Sequence, residues 1–92
     1  MVLEASIEAR VVQMAERDGW YVRKLKWIGR RSAPDRMFVR DGRVVFIEFK
    51  RPGGRRSAGQ IAEVSTLRKH GAEAYFVDSV DTAMRILNAD RP

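Results

Sequence analysis

The 92-residue chain has no cysteine, which excludes disulfides and thiolate metal sites and is consistent with a reducing compartment. Long apolar runs are also missing. The longest, Val44 to Ile47 and Ala74 to Val77, are four residues each, far short of the ~20 that a membrane-spanning helix needs. The first residues lack the basic start and apolar core of a signal peptide. The expectation is therefore an intracellular, cytoplasmic protein with no membrane partner. Repeats, low-complexity segments and long linkers are absent, so residues 1–92 read as one domain. A core of this size buries a limited share of its surface, and a second copy of the chain is one way to complete it. Acids are in deficit, with 12 Asp and Glu against 18 Lys and Arg for a net charge of +6, and that balance suits a polyanionic partner.

The acids that are present are informatively placed. Pro34-Asp35 is followed thirteen residues later by Glu48-Phe49-Lys50, with Asp41-Gly42 midway. Asp-Gly between Phe38, Val39 and Val44, Val45 is the signal for a two-residue hairpin loop. Arg40 then stands opposite Arg43, Val39 opposite Val44, Met37 opposite Phe46 and Asp35 opposite Glu48. Two carboxylates in such opposed positions lie roughly 4.5–5.5 Å apart at Cβ and repel each other. The period of two puts Lys50 on the same face, past Glu48. A divalent cation between the acids removes the conflict, and Mg²⁺ takes carboxylate and phosphate oxygens while keeping several waters. Arg23, Lys24, Lys26, Arg30 and Arg31 precede Asp35, and Lys50, Arg51, Arg55 and Arg56 follow Glu48. Half of the basic residues thus converge on the acidic pair, although a solvated basic surface is the alternative for either run.

Elsewhere, Ile7, Val11, Met14 and Ala15 recur at helical spacing from about Glu4 to Arg17, stopped by Asp18-Gly19. Trp20 to Ile28 reads as an edge strand with its basic residues outward. Gly29 to Ala33 forms a loop, and the hairpin strands run over Arg36–Arg40 and Arg43–Phe49. The second of these is apolar on both faces and so is central. After Pro52-Gly53-Gly54, Ser57 begins a helix with Ile61, Val64 and Leu67 inward, ending at Lys69-His70-Gly71. His70 there is a helix-end residue that suits the dipole. Ala74–Val77 is a short strand, and Asp78 or Ser79 caps a last helix carrying Val80, Ala83, Met84 and Leu87 inward. The order αβββαβα describes an α/β fold, a small mixed central sheet flanked by helices.

Several candidate residues have plain alternatives. Asp35 after proline is a common turn acid, and Glu48 with Lys50 can be a simple strand pair. Lys50 serves either as a counter-ion or to orient water and stabilise charge on a phosphate. Ser57-Ala58-Gly59-Gln60 matches a capping box, yet Gln60 also shares the inward stripe near the acids. Glu8, at the border of the first helix's stripe, would not be chosen on periodicity alone. Trp20, Tyr21 and Trp27 are either core aromatics or parts of an interface.

Taken together, Glu8, Gly19, Ala33-Pro34-Asp35, Glu48-Phe49-Lys50, Gln60 and the Leu67–Gly71 segment resemble the virus-type replication-repair nuclease (VRR-NUC) domain of the PD-(D/E)xK superfamily. The match covers nearly the whole chain, with Ala33 standing where such domains usually have glycine. The resemblance implies a restriction-endonuclease-like core in αβββαβ order with an added C-terminal helix. It implies that Asp35, Glu48 and the carbonyl of Phe49 hold Mg²⁺ or Mn²⁺, with Glu8 nearby through metal or water. Lys50 would assist the attacking water and Gln60 would shape the site. Lys24, Lys26, Arg30, Arg31, Arg51, Arg55 and Arg56 would contact DNA, and no organic cofactor is expected. Stand-alone members look like Holliday junction resolvases and act as homodimers, while embedded members include flap nucleases. The implied reaction is hydrolysis of DNA phosphodiesters to 5′-phosphate and 3′-hydroxyl ends. A basic DNA-binding module that does not cut is the competing class, and a small protein-interaction domain is a third.

Overall fold

The computed structural model describes residues 2–89. Its elements are α1 (Glu4–Arg17), β1 (Tyr21–Lys24), β2 (Arg36–Arg40), β3 (Arg43–Phe49), α2 (Ala58–Lys69), β4 (Glu73–Val77) and α3 (Val80–Asn88). The order is αβββαβα, and the four strands form one mixed sheet, β1-β2-β3-β4, with helices against it. β1, β2 and β3 are antiparallel neighbours, and β4 joins β3 in parallel after the α2 crossover.

The hairpin follows from its turn. Asp41 and Gly42 have φ of 50° and 80°, and positive φ at both central positions is the type I′ geometry whose twist matches the flanking strands. Arg40 consequently pairs with Arg43, Val39 with Val44 and Met37 with Phe46. The side-chain period of two then sorts the sheet into faces. Val22, Phe38, Val45, Ile47, Phe49 and Val77 are buried with Ile7, Val11 and Ala15 of α1 and Ala83, Met84 and Leu87 of α3. These two helices fill one side of the sheet. α2 packs on β4 on the other side, leaving the hairpin end of that second face open. There Tyr21, Val39 and Val44 line up across three strands, with Tyr21 51% and Val44 40% exposed.

Two expectations are corrected. The edge strand ends at Lys24 rather than Ile28, because the Leu25 N–H donates to the Asp35 carbonyl at 3.1 Å and closes a loop instead of extending the ladder. Trp27 lies in that loop, donating through Nε1 to Glu63 of α2 at 2.9 Å. Ile61 is not inward: α2 covers only the β4 side, so Ile61 is 51% exposed while Val64 is buried. The strand Arg43–Phe49 is central as expected, between β2 and β4, with Val44 facing the open end of the sheet.

One fold-holding residue carries no local sequence signal. Arg43 is buried; its Nε and Nη2 donate to Glu73 at 2.8 Å each, and it also donates to the carbonyls of Ile86, Leu87 and Ala89 at the end of α3. A guanidinium suits this place because its donors are fixed in a plane and a cation favours a helix C-terminus.

Candidate active site

The site begins where β2 and β3 part. The last paired positions are Arg36 and Ile47, and one residue earlier the Asp35 carbonyl turns to Leu25 instead. The Asp35 carboxylate takes over the partner role, accepting the Phe49 N–H through Oδ2 at 2.7 Å. This backbone contact sets the carboxylate of Asp35 beside that of Glu48, within hydrogen-bonding reach. Glu48 is 5% exposed. Its burial, the Asp35 charge and the hydrogen bond between the two acids push its pKa up from 4.5 to about 8, with Lys50 opposing the shift and Glu4 adding to it. Two adjacent acids in a buried setting cannot both ionise cheaply, so the pair keeps a proton at neutral pH.

Gln60 reaches the same acid from α2. Its backbone N–H donates to Ser57 Oγ at 3.1 Å and its Oε1 accepts the Ser57 N–H at 3.0 Å, completing a capping box. Its Nε2 donates to Glu48 Oε2 at 3.1 Å. The two sequence readings of Gln60 are thus both realised, because an amide has an acceptor for the cap and a donor to spare. Gly59 packs closely alongside: a Cβ there would lie 2.5 Å from Ser32 Oγ and make that hydroxyl turn away, where the loop before Asp35 crosses the start of α2.

Glu8 has a different neighbour. Its Oε2 accepts from Arg36 Nε at 2.7 Å, and Arg36 alternates with Met37 onto the face that α1 covers. Of the α1 acids, Glu4 is the one whose charge raises Glu48. Periodicity missed Glu4 because it sits in the exposed first turn of α1. Its only sequence signal is the four-residue step that stacks it on Glu8 along one helix face. Among the described residues no cluster of three or more His, Cys, Asp or Glu has metal-ligating geometry, so the side-chain oxygens brought together are those of Asp35 and Glu48. His70 sits apart as the α2 C-cap, with Nδ1 2.9 Å from the Thr66 carbonyl.

Comparison with known proteins bears on this arrangement. No protein-family model matches the chain. A solved structure described as a VRR_NUC domain superposes with a TM-score of 0.85 at 27% identity, covering 96% of this chain and 97% of the other. A protein named "Putative nuclease p44", from Acyrthosiphon pisum secondary endosymbiont phage 1, is 32% identical over 82 residues, which is 88% of each chain. The chain belongs to the VRR-NUC nuclease family.

Around this VRR-NUC core the cations point outward. Lys24, Lys26, Arg30, Arg31, Arg51, Arg55 and Arg56 are all exposed, at the end of β1, on the β1–β2 loop and on the β3–α2 connection that flank Asp35 and Glu48. Lys50 is half-buried and holds the end of β3 by donating its N–H to the Val77 carbonyl at 2.8 Å. Trp20 is buried, with the Arg40 guanidinium 4.7 Å from its ring, so it belongs to the core and not to an interface. No helix among the described residues is long and apolar enough to cross a membrane.

Proposed function

We propose that this VRR-NUC protein is a metal-dependent endonuclease that hydrolyses phosphodiesters of branched DNA, with four-way junctions as the preferred substrate. The single observation that carries the reading is Glu48, buried beside Asp35 with a pKa raised to about 8. A stable fold gains nothing from that conflict, whereas a divalent cation resolves it. Both donors are hard carboxylate oxygens and phosphate supplies further oxygens, which fits Mg²⁺ or Mn²⁺. Asp35, Glu48 and the Phe49 carbonyl would hold it; Glu8 acts through water and through its pairing with Arg36, next to Asp35. The bound ion supplies a more acidic water and a counter-charge for phosphate oxygens.

The chain's own residues do the remaining work. Asp35 is held by the Phe49 N–H and Glu48 by Gln60, so both carboxylates are oriented before substrate arrives. Preset geometry of this kind lowers the cost of organising the reaction. Lys50 is near enough for its charge to oppose the rise in the Glu48 pKa, and its ammonium would orient the attacking water and stabilise negative charge on the phosphate. Water attacks phosphorus and gives up a proton to solvent, the P–O3′ bond breaks, and the departing oxygen takes a proton from solvent. The products are a 5′-phosphate and a 3′-hydroxyl. The exposed cations on both flanks hold the DNA backbone and make binding sensitive to salt.

A homodimer with two such sites related by a twofold axis cuts two strands of a junction symmetrically, and that needs a self-complementary patch. The open sheet face of Tyr21, Met37, Val39, Val44 and Phe46 offers one, and Val44 at 40% exposure is its most accessible aliphatic residue. The test is incubation of labelled linear, flap and four-way-junction DNA with and without Mg²⁺ or Mn²⁺. Cleavage that needs metal, favours the junction, and disappears in Asp35→Asn and Lys50→Ala is the expected result. Binding without metal-dependent cleavage would reduce the protein to a DNA-binding module.

A further inference from the structure

α2 and β4 line an open cavity of about 580 Å³, within the ~300–1,000 Å³ range of small-ligand sites. Ile61, Val64 and Phe76 form its apolar part, Arg56, Arg68 and Lys69 are its charged residues, and no acid lines it. It adjoins the acidic pair. Phe76 is the register partner of Glu48 on the neighbouring strand, a spacing of about 4.8 Å between strands. On α2, Gln60 donates to Glu48 while the next residue, Ile61, turns to the cavity. The Arg56 guanidinium lies 4.2 Å from the Phe76 ring centroid, and Arg68 is fixed by donating through Nε to the Ala74 carbonyl at 2.7 Å.

The charges select the occupant. Three cations without an acid repel a second copy of a chain that itself carries +6, and they favour a polyanion. The apolar floor narrows the choice further. Duplex DNA presents phosphates outward and keeps its base faces stacked, leaving Ile61 and Phe76 unused. An unpaired strand presents phosphates and base faces together, and such strands are held by basic grooves with aromatic and apolar platforms. We propose that this cavity holds an unpaired stretch of the DNA strand beside the scissile phosphodiester. Its bases lie against Ile61 and Phe76, and its phosphates are neutralised by Arg56, Arg68 and Lys69. This rests on the nuclease reading and adds to it that the strand is unpaired on the α2 side of the cut when bound, so a four-way junction must open base pairs at its branch point to be cut.

The experiment is fluorescence anisotropy with a labelled oligothymidylate and a blunt duplex in EDTA, comparing wild type with Ile61→Ser and Ile61→Glu. Ile61 is half-exposed, so neither change disturbs the core, and a urea melt checks this. Ile61→Ser is expected to weaken single-strand binding by about fivefold or more, and Ile61→Glu by about tenfold or more. Ile61→Ser leaves duplex affinity within a factor of about two, since phosphate contacts carry duplex binding. Unchanged single-strand affinity, or equal losses on both DNAs for Ile61→Ser, overturns the proposal. So does sedimentation showing that Ile61→Glu separates a dimer, which would make the cavity an interface between copies. Cleavage is read separately: Ile61-dependent oligonucleotide binding with no metal-dependent cutting supports the cavity's ligand and removes the nuclease reading.

Discussion

Replacing Glu48 by glutamine should make the metal-free protein more stable at high pH, the reverse of what loss of a buried polar contact normally does. The folded-state pKa of Glu48 is about 8 against 4.5 for the ordinary carboxylate, so between those values the folded protein binds more protons than the unfolded chain. The sign follows: this contribution is fully present below about pH 4.5 and is lost as pH rises through about 8. At about 1.4 kcal/mol per pH unit, the cost between pH 5 and pH 8 is on the order of 3–4 kcal/mol. For a domain of this size that corresponds to a fall in Tm on the order of 15 °C. Glu48→Gln is neutral at every pH and accepts from Gln60 through its own carbonyl, so this pH dependence disappears. Titrating groups remote from the site are common to both proteins and cancel in the difference, which leaves Glu48 and its immediate partners Asp35 and Lys50. The assay is urea unfolding in EDTA at half-unit steps from pH 5 to pH 9. The variant curve should cross above wild type as pH rises; parallel curves would refute the claim that Glu48 is an unrelieved buried acid.

Other consequences are more local. Arg43→Ala removes the ion pair to Glu73 and the cap on α3 together, and should lower unfolding free energy by about 3–5 kcal/mol in denaturant titrations. Gln60→Ala breaks the capping box and should cost about 1 kcal/mol by the same measurement. The double change Arg30→Ala with Arg31→Ala should flatten the slope of log affinity against log salt for duplex DNA by up to about 2 while leaving the fold intact, because each cation that leaves a phosphate removes about 0.9 from the slope. An unaltered slope would take the β1–β2 loop off the DNA-contacting surface.

The local parts of this fold were legible because local chemistry decides them. Asp41-Gly42 can adopt the positive φ that a type I′ turn requires, so the register of β2 and β3 could be counted outward as far as Arg36 and Ile47. Ser79, Gly71 and the 3.6-residue stripe of α1 likewise act over a few residues. Remote contacts are what escaped. Trp20 to Ile28 has the composition of a strand throughout, yet the Asp35 carbonyl captures the Leu25 N–H and bends the chain into a loop. Ile61 carries the right spacing for burial, but how far α2 overlaps the sheet depends on tertiary placement, and Ile61 falls past its edge. Arg43 collects acceptors from Glu73 and from residues more than forty positions away, which no spacing rule encodes. Glu4 and Glu8 share one stripe of α1, so periodicity could not tell that Glu8 meets Arg36 while the field of Glu4 reaches Glu48.

The most direct test of the central claim is calorimetric titration of Mn²⁺ into the protein at pH 7, repeated in buffers of different ionisation enthalpy. An ion seated between Asp35 and Glu48 must displace the proton that the pair retains, so binding should release close to one proton per protein and should vanish in Asp35→Asn. Uptake without proton release, or heats unaffected by Asp35→Asn, would place the metal elsewhere and contradict the account.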